Sequence, residues 1–190
     1  MGWNGNLEYL MSSLPYLRWQ VATDKQVIDL LAQYASVDTE HADPMQILET
    51  EASKYLSAEK SMLFQSIRLE HIHQPIFQLP ALGRIAQFSH FDATLRQQIA
   101  TLRLARRANQ QQGANQSLPR IITPGSPLQE EMQLLRLQWD KLEELAIGHY
   151  ADWDALVVYK LKLMILQRLW SFDSLRGMDV FKRLTSTDSL

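Results

Sequence analysis

Between Ala155 and Trp170 the chain reads AlaLeuValValTyrLysLeuLysLeuMetIleLeuGlnArgLeuTrp, apolar around nearly the whole circumference of a helix. A helix at a protein surface carries one apolar stripe and one polar one; a helix without a polar side has to be surrounded. Neighbouring segments or a partner must therefore enclose this one. It starts at Asp152, almost directly after a run that opens at Ser126-Pro127 and stops near Gly148-His149-Tyr150. Serine followed by proline is a helix start, and glycine just past the last periodic residue is a stop. The two runs predict a helical hairpin. Lys160 and Lys162 are expected to lay their stems along apolar surface and keep their ammonium groups wet. Arg168 lies two turns and a little beyond Lys160, so that face is expected to reach water or an acidic partner. The same three charges, and its length, make the run unsuited to spanning a bilayer.

Upstream, Leu7–Pro15 is short, apolar and closed by proline, and reads equally as an extended segment or a helical turn. Thr23 predicts a helix start with Gln26 completing a capping box. Val27, Leu30, Leu31 and Tyr34 then share one face. Asp43-Pro44 predicts the next start, with Ile47, Leu48, Ala52, Tyr55 and Leu56 inward. Ser57 predicts a cap and a helix to about His73, with Leu63, Phe64, Ile67 and Ile72 inward. Gln74-Pro75 and Leu79-Pro80 then break the period, because the residue before proline avoids helical backbone. A long helix follows from Leu82 or Ser89 to about Asn109, with Phe88, Phe91, Leu95, Ile99 and Leu102 near heptad spacing. Gln110–Pro127 sets three prolines among polar residues and predicts a loop or hinge. A short helix from about Ser174 and a fraying tail close the chain. The expectation is an all-α fold, an irregular bundle of six or seven helices with a C-terminal helical hairpin. It is read as a single helical domain over residues 1–190. Residues 110–126 form a flexible loop between an N-terminal half (1–109) and the hairpin (127–186).

The chemistry-bearing patterns are few. The chain has no cysteine, which removes disulfides, thiolate zinc sites and cysteine nucleophiles and fits a reducing compartment. Its first ten residues hold no basic stretch followed by an apolar one, so no secretory leader is predicted. Hydrophobic residues make up 46%, enough for a sizeable core, and the expectation is a soluble cytoplasmic protein. HExxH, GxSxG, GxGxxG and the phosphate-loop pattern are missing. Glu70, His71 and His73 stand together, with His90 and Glu40-His41 elsewhere. On a helix His71 and His73 point about 200° apart, so they do not converge on a metal, and His73 is expected to favour a helix end. Glu130 and Glu131 fall in the first turn after Pro127, where negative charge suits the helix dipole. Glu144 is expected either solvated or paired with Lys141. No catalytic residue, cofactor or metal site is predicted.

Charge is unevenly placed although the net charge is only -2. Residues 84–120 hold six arginines against the single acid Asp92, whereas residues 24–70 hold nine acids against four cations. Such separation predicts a solvated face, internal pairing between the two stretches, or oriented docking to a charged protein surface. Arg103 and Arg107 share a helix face, and Arg96 lies a heptad before Arg103. Nucleic acid would call for more lysine and a more basic whole, so it is not expected as a partner. Trp139, Trp153, Trp170, Tyr150 and Tyr159 gather in the hairpin and are expected mainly to fill the core, aromatics also being favoured interface anchors.

Three phrases resemble a known family. GluTyrLeuMetSerSerLeuPro (Glu8–Pro15) is similar to the "YLxxSLP" opening of a bacterial family of unknown function encoded beside V-type ATPase genes. PheAspAlaThrLeuArgGlnGlnIleAlaThrLeuArgLeuAlaArgArg (Phe91–Arg107) resembles its helix of regularly spaced arginines. Ser126–Arg168 is the closest match, at Trp139, Gly148-His149-Tyr150, Asp154, Tyr159-x-Leu161-Lys162-Leu163 and Gln167-Arg168. The opening departs from the family in carrying one tyrosine where relatives carry several.

The resemblance implies a non-catalytic coupling subunit or accessory protein of a bacterial V/A-type rotary ATPase, analogous to the C-type (eukaryotic d-type) subunit. Its partners would be protein subunits of the central stalk or the membrane rotor ring. It would be cytoplasmic, peripheral at the inner face of the membrane through those subunits. No cofactor and no catalytic residue carries over. The partner-binding residues expected are Arg96, Arg103 and Arg107 on the arginine helix and Tyr150, Lys162 and Arg168 on the hairpin. The rival expectation is a cytoplasmic helical chaperone or assembly factor binding a peptide between the two halves. A third, a metal protein or enzyme using Glu70, His71 and His73, would be settled by metal analysis.

Overall fold

A computed structural model describes residues 5–19, 24–35, 43–112 and 122–172. Among these, seven α-helices and no strands occur: α1 (Gly5–Ser13), α2 (Asp24–Ala35), α3 (Pro44–Ser53), α4 (Ala58–Ser66), α5 (Arg84–Gln112), α6 (Pro127–Ala146) and α7 (Trp153–Trp170). Two single 3-10 turns, Pro75–Phe77 and Pro80–Leu82, lie between α4 and α5. The fold is an all-α bundle ending, within the described residues, in the α6–α7 hairpin. Thr23 and the stretch from Ser174 onward, both expected to start helices, lie outside the described residues, as do Glu40, His41 and positions 113–121 of the expected loop, while its first three residues continue α5 to Gln112.

The enclosed helix is α7. Ala155 through Leu161 and Leu163 through Leu166 are all buried, and α1, α2, α3, α5 and α6 pack around it. Leu10, Leu31, Leu48, Ile85, Leu142 and Ile165 join one core, so the helices before the 110–126 connection and the hairpin after it share that core. Each fully buried aliphatic side chain contributes roughly 1.5–3 kcal/mol. The hairpin is antiparallel: Lys162 lies over the Trp139 ring at 5.3 Å, and Arg168, further along α7, meets Glu131, earlier on α6. No helix among the described residues is long and apolar enough to cross a membrane.

Local chemistry sets the helix starts. Asp43 caps α3 by accepting from the Met45 amide at 3.0 Å, and Ser57 caps α4 at the Lys60 amide. Ser126 and Gln129 form a reciprocal capping box at α6, and Asp152 accepts from the Ala155 amide at 2.8 Å at the head of α7. These caps satisfy amides that the first helical turn leaves without partners.

Of the two readings of Leu7–Pro15 the helical one holds, over Gly5–Ser13. Two expectations need correction. The helix from Ser57 stops at Ser66 and does not reach His73. Ile67 takes an extended backbone, and Ile67, Leu69 and Ile72 are all buried at spacings of two and three, which one helix face cannot provide. His73 therefore does not sit at an α-helix end. The second correction concerns Lys160, whose ammonium is not wet: the residue is 0% exposed. Its Nζ sits 2.8 Å from Glu49 on α3, donates to the Phe64 carbonyl and lies over the Phe64 ring. The face expected to carry both Lys160 and Arg168 into water is thus core at Lys160 and surface only at Arg168.

Among the described residues the two oppositely charged stretches do not pair with each other. Among the described residues no arginine of α5 pairs with an acid of residues 24–70. Arg96 bonds Asp92 on its own helix, and Arg106 meets Glu130 on α6 at 2.6 Å. Arg68, from the acidic stretch itself, bonds Glu49.

Candidate functional site

The six residues expected to bind a partner gather around two clefts at different places along the hairpin. The first is a groove of about 360 Å³ between α5 and α6. Leu95, Ile99 and Ala100 line it from α5, and Leu134 and Leu135 from α6. Asp92, which is 0% exposed, also lines it. A buried carboxylate requires compensation. Asp92 has two short bonds, one from Arg96 Nε at 2.6 Å and one from Gln138 Nε2 at 2.6 Å. Arg96 also donates to the Leu69 carbonyl at 3.3 Å, tying the turn after α4 to α5.

The rim is charged. Arg96 and Arg103 border the groove from α5 and Glu131 from α6. Helical spacing puts Arg107 one turn beyond Arg103 on the same face. Arg168 on α7 reaches Glu131 at 3.4 Å and covers the Phe172 ring at 5.1 Å. Arg103 and Arg107 are exposed and have no acidic partner among the described residues. Beneath this region Leu95, Ile99 and Ile122 form a small apolar cluster separate from the main core.

The second cleft, about 260 Å³, lies where the segment after α1 meets the α6–α7 turn. Met11, Leu14, Leu17, Ala155 and Val158 supply apolar walls, and Tyr16 and Tyr150 stand at its mouth, 74% and 82% exposed. Tyr159 also lines it and donates to the Pro15 carbonyl at 3.0 Å. Burial pushes the Tyr159 phenol well above its ordinary range. Lys162 borders the cleft, largely covered, with Nζ 3.0 Å from Glu143.

A polar knot holds the turn. Arg84 Nε donates to His149 Nε2 at 3.1 Å, and His149 Nδ1 lies 2.5 Å from Asp152 Oδ2. A guanidinium only donates, so Nε2 accepts and Nδ1 carries the proton toward Asp152. Burial works to raise the Asp152 carboxyl, but the Ala155 amide and His149 outweigh it and hold it below its usual range. Gly148, at φ +84, supplies the left-handed turn that ends α6.

Of the six residues, Arg96 and Arg103 share the first groove, with Arg107 beyond them and Arg168 across Glu131. Tyr150 and Lys162 share the second cleft. Three of the aromatics read as core behave so to different degrees: Trp139 is 2% exposed and Tyr159 9%, while Tyr150 is almost fully out. Sequence reading missed Gln138 and Tyr16. Asp92, the lone acid on a basic helix and four residues before Arg96, did carry a signal of pairing. Glu70 and His71 are exposed, and among the described residues no group of three His, Asp or Glu side chains is placed to hold a metal. No family model, curated protein or solved structure matches the chain.

Proposed function

We propose that this protein works by docking to other polypeptides, as a non-catalytic coupling or accessory part of a bacterial V/A-type rotary ATPase. The observation that carries the docking reading is the convergence of exposed arginines on an apolar-floored groove between α5 and α6. The assignment to a rotary ATPase is supported by the three sequence phrases and by nothing geometric. A central helix, buried along most of its length, with caps at both hairpin starts suits a part that holds shape under load. The partners would be stalk or rotor-ring subunits, and the location the cytoplasmic side of the membrane. Three charged side chains at the clefts are engaged in fixing geometry: Asp92 by Arg96 and Gln138, Lys162 by Glu143, His149 by Arg84 and Asp152.

Isolation of the tagged protein from native membranes tests this reading. Stoichiometric recovery of ATPase catalytic and stalk subunits is the expected result; a clean preparation lacking all of them overturns it. One observation favours the alternative chaperone or assembly-factor reading: the first groove lies between the helical half before residue 110 and the hairpin after residue 126. Substoichiometric, transient association with a client would support that alternative.

A further inference from the structure

Resting on the docking reading, we propose that the α5–α6 groove receives an acidic amphipathic helix of a partner protein. The geometry points to a helix. Leu95 and Ile99 on one wall are a helical turn apart, the spacing of helix side-chain ridges, and Leu134 and Leu135 line the other wall. Helix-in-groove recognition places an apolar residue each turn into such a floor. The line from Arg96 to Arg107 runs about 16 Å, three turns of a partner helix laid alongside.

Charge selects an acidic helix. Arg96 is committed to Asp92, Arg106 to Glu130 and Arg168 to Glu131. Arg103 and Arg107 remain without acidic partners among the described residues, one turn apart and both exposed. Arg103 borders the groove and Arg107 follows one turn beyond it on the same face, so two exposed guanidinium groups without acidic partners among the described residues lie along its line. An Asp or Glu pair at i, i+4 on the partner, flanking its Leu or Ile ridge, would meet them in bidentate fashion. Leu128 and Met132, 46% and 39% exposed, lie two turns and one turn before Leu135 on α6 and add exposed apolar surface to that helix. A nucleic acid would leave that floor unused, and a basic or neutral helix would leave both arginines unpaired.

The test places a photoreactive p-benzoylphenylalanine at Ala100, an exposed small residue lining the groove, in the full chain expressed in its native host. After illumination, mass spectrometry reads the cross-linked segment. The expected adduct is a single helical segment with acids at i, i+4 beside an apolar ridge. The double variant Arg103→Glu, Arg107→Glu should lower adduct yield roughly tenfold or more with an unchanged melting temperature. Replacing the partner's two acids by lysine should restore it. An adduct to a basic or uncharged segment, to lipid or to a second copy of this chain overturns the proposal. So does no adduct, or a yield indifferent to charge reversal. The two readings fail separately. An acidic helix from a protein outside any rotary ATPase upholds the groove assignment and sinks the ATPase one. Stoichiometric ATPase co-purification with a charge-indifferent adduct does the reverse.

Discussion

Lys160 is the residue whose environment departs furthest from expectation, and its chemistry is directly measurable. Burial pulls its ammonium down to about 8, with Glu49 opposing that fall. Glu49 itself is raised by burial, but Arg68 and Lys160 outweigh this and hold it below the usual carboxylate range. The folded state thus releases the Lys160 proton near pH 8, whereas the unfolded chain holds it to about pH 10.4. Between those values the unfolded state binds more protons, so stability rises with pH. Above about pH 10 the buried Tyr159 phenol reverses the trend, because the unfolded chain ionises first. Chemical denaturation across pH 7–10 should show a gain of about 2 kcal/mol in the wild type. Lys160→Met should remove that slope, and a mutant with the same slope would show that the ammonium is not the titrating group. Below about pH 4.5 the slope keeps the same sign: the unfolded chain's carboxylates take up protons before Glu49 and Asp152 do, so stability is lost as pH falls. Glu49→Gln should cost about 3–5 kcal/mol at pH 7, since it strands a buried cation. Adding Lys160→Met to Glu49→Gln should recover most of that loss; a double variant as unstable as the single would refute the coupling.

Between elements, the Asp92–Gln138 bond pins α5 to α6 behind the groove. Asp92→Ala would leave the buried Gln138 amide without its partner and should cost about 2–4 kcal/mol by denaturant titration. A loss below 0.5 kcal/mol would mean water replaces the carboxylate. Ser126→Ala, removing one half of the α6 capping box, should cost about 1 kcal/mol. The ease of reading these elements in the sequence follows from where their determinants lie. Asp43, Ser57, Ser126 and Asp152 act on amides two or three residues away, so their helices were legible. So was α7, because a helix apolar on every side permits only enclosure. The early stop of α4 was illegible, because Ile67, Leu69 and Ile72 obey a tertiary demand that no local period signals. Lys160 failed for the same reason: its partner Glu49 lies 111 positions away, on α3. The arginine groove was half legible. The i, i+4 spacing put Arg103 and Arg107 on one face, but the wall opposite them comes from α6.

At the scale of the molecule, the proposed coupling role would require two bodies to be held at once, and two clefts border the hairpin. Leu134 in the first and Ala146 in the second are separated along α6 by about 18 Å. Residues that far apart and sharing no partner contribute independently. The two clefts should also fail differently. The arginine groove relies on exposed charge, which steers encounter and is screened within about 10 Å at 0.1 M salt. Raising salt from 50 to 500 mM should therefore slow association there several-fold and leave dissociation nearly unchanged. The second cleft relies on Tyr16 and Tyr150 over apolar walls, so Tyr150→Ala should speed dissociation by about tenfold and show little response to salt. Surface plasmon resonance against the purified partner complex, with Arg103→Glu and Tyr150→Ala singly and together, reads both effects. Independent losses that add within about 0.5 kcal/mol fit two docking faces on one rigid body. A Tyr150→Ala variant that binds like the wild type would leave only the groove, and a protein that grips one client rather than joining two.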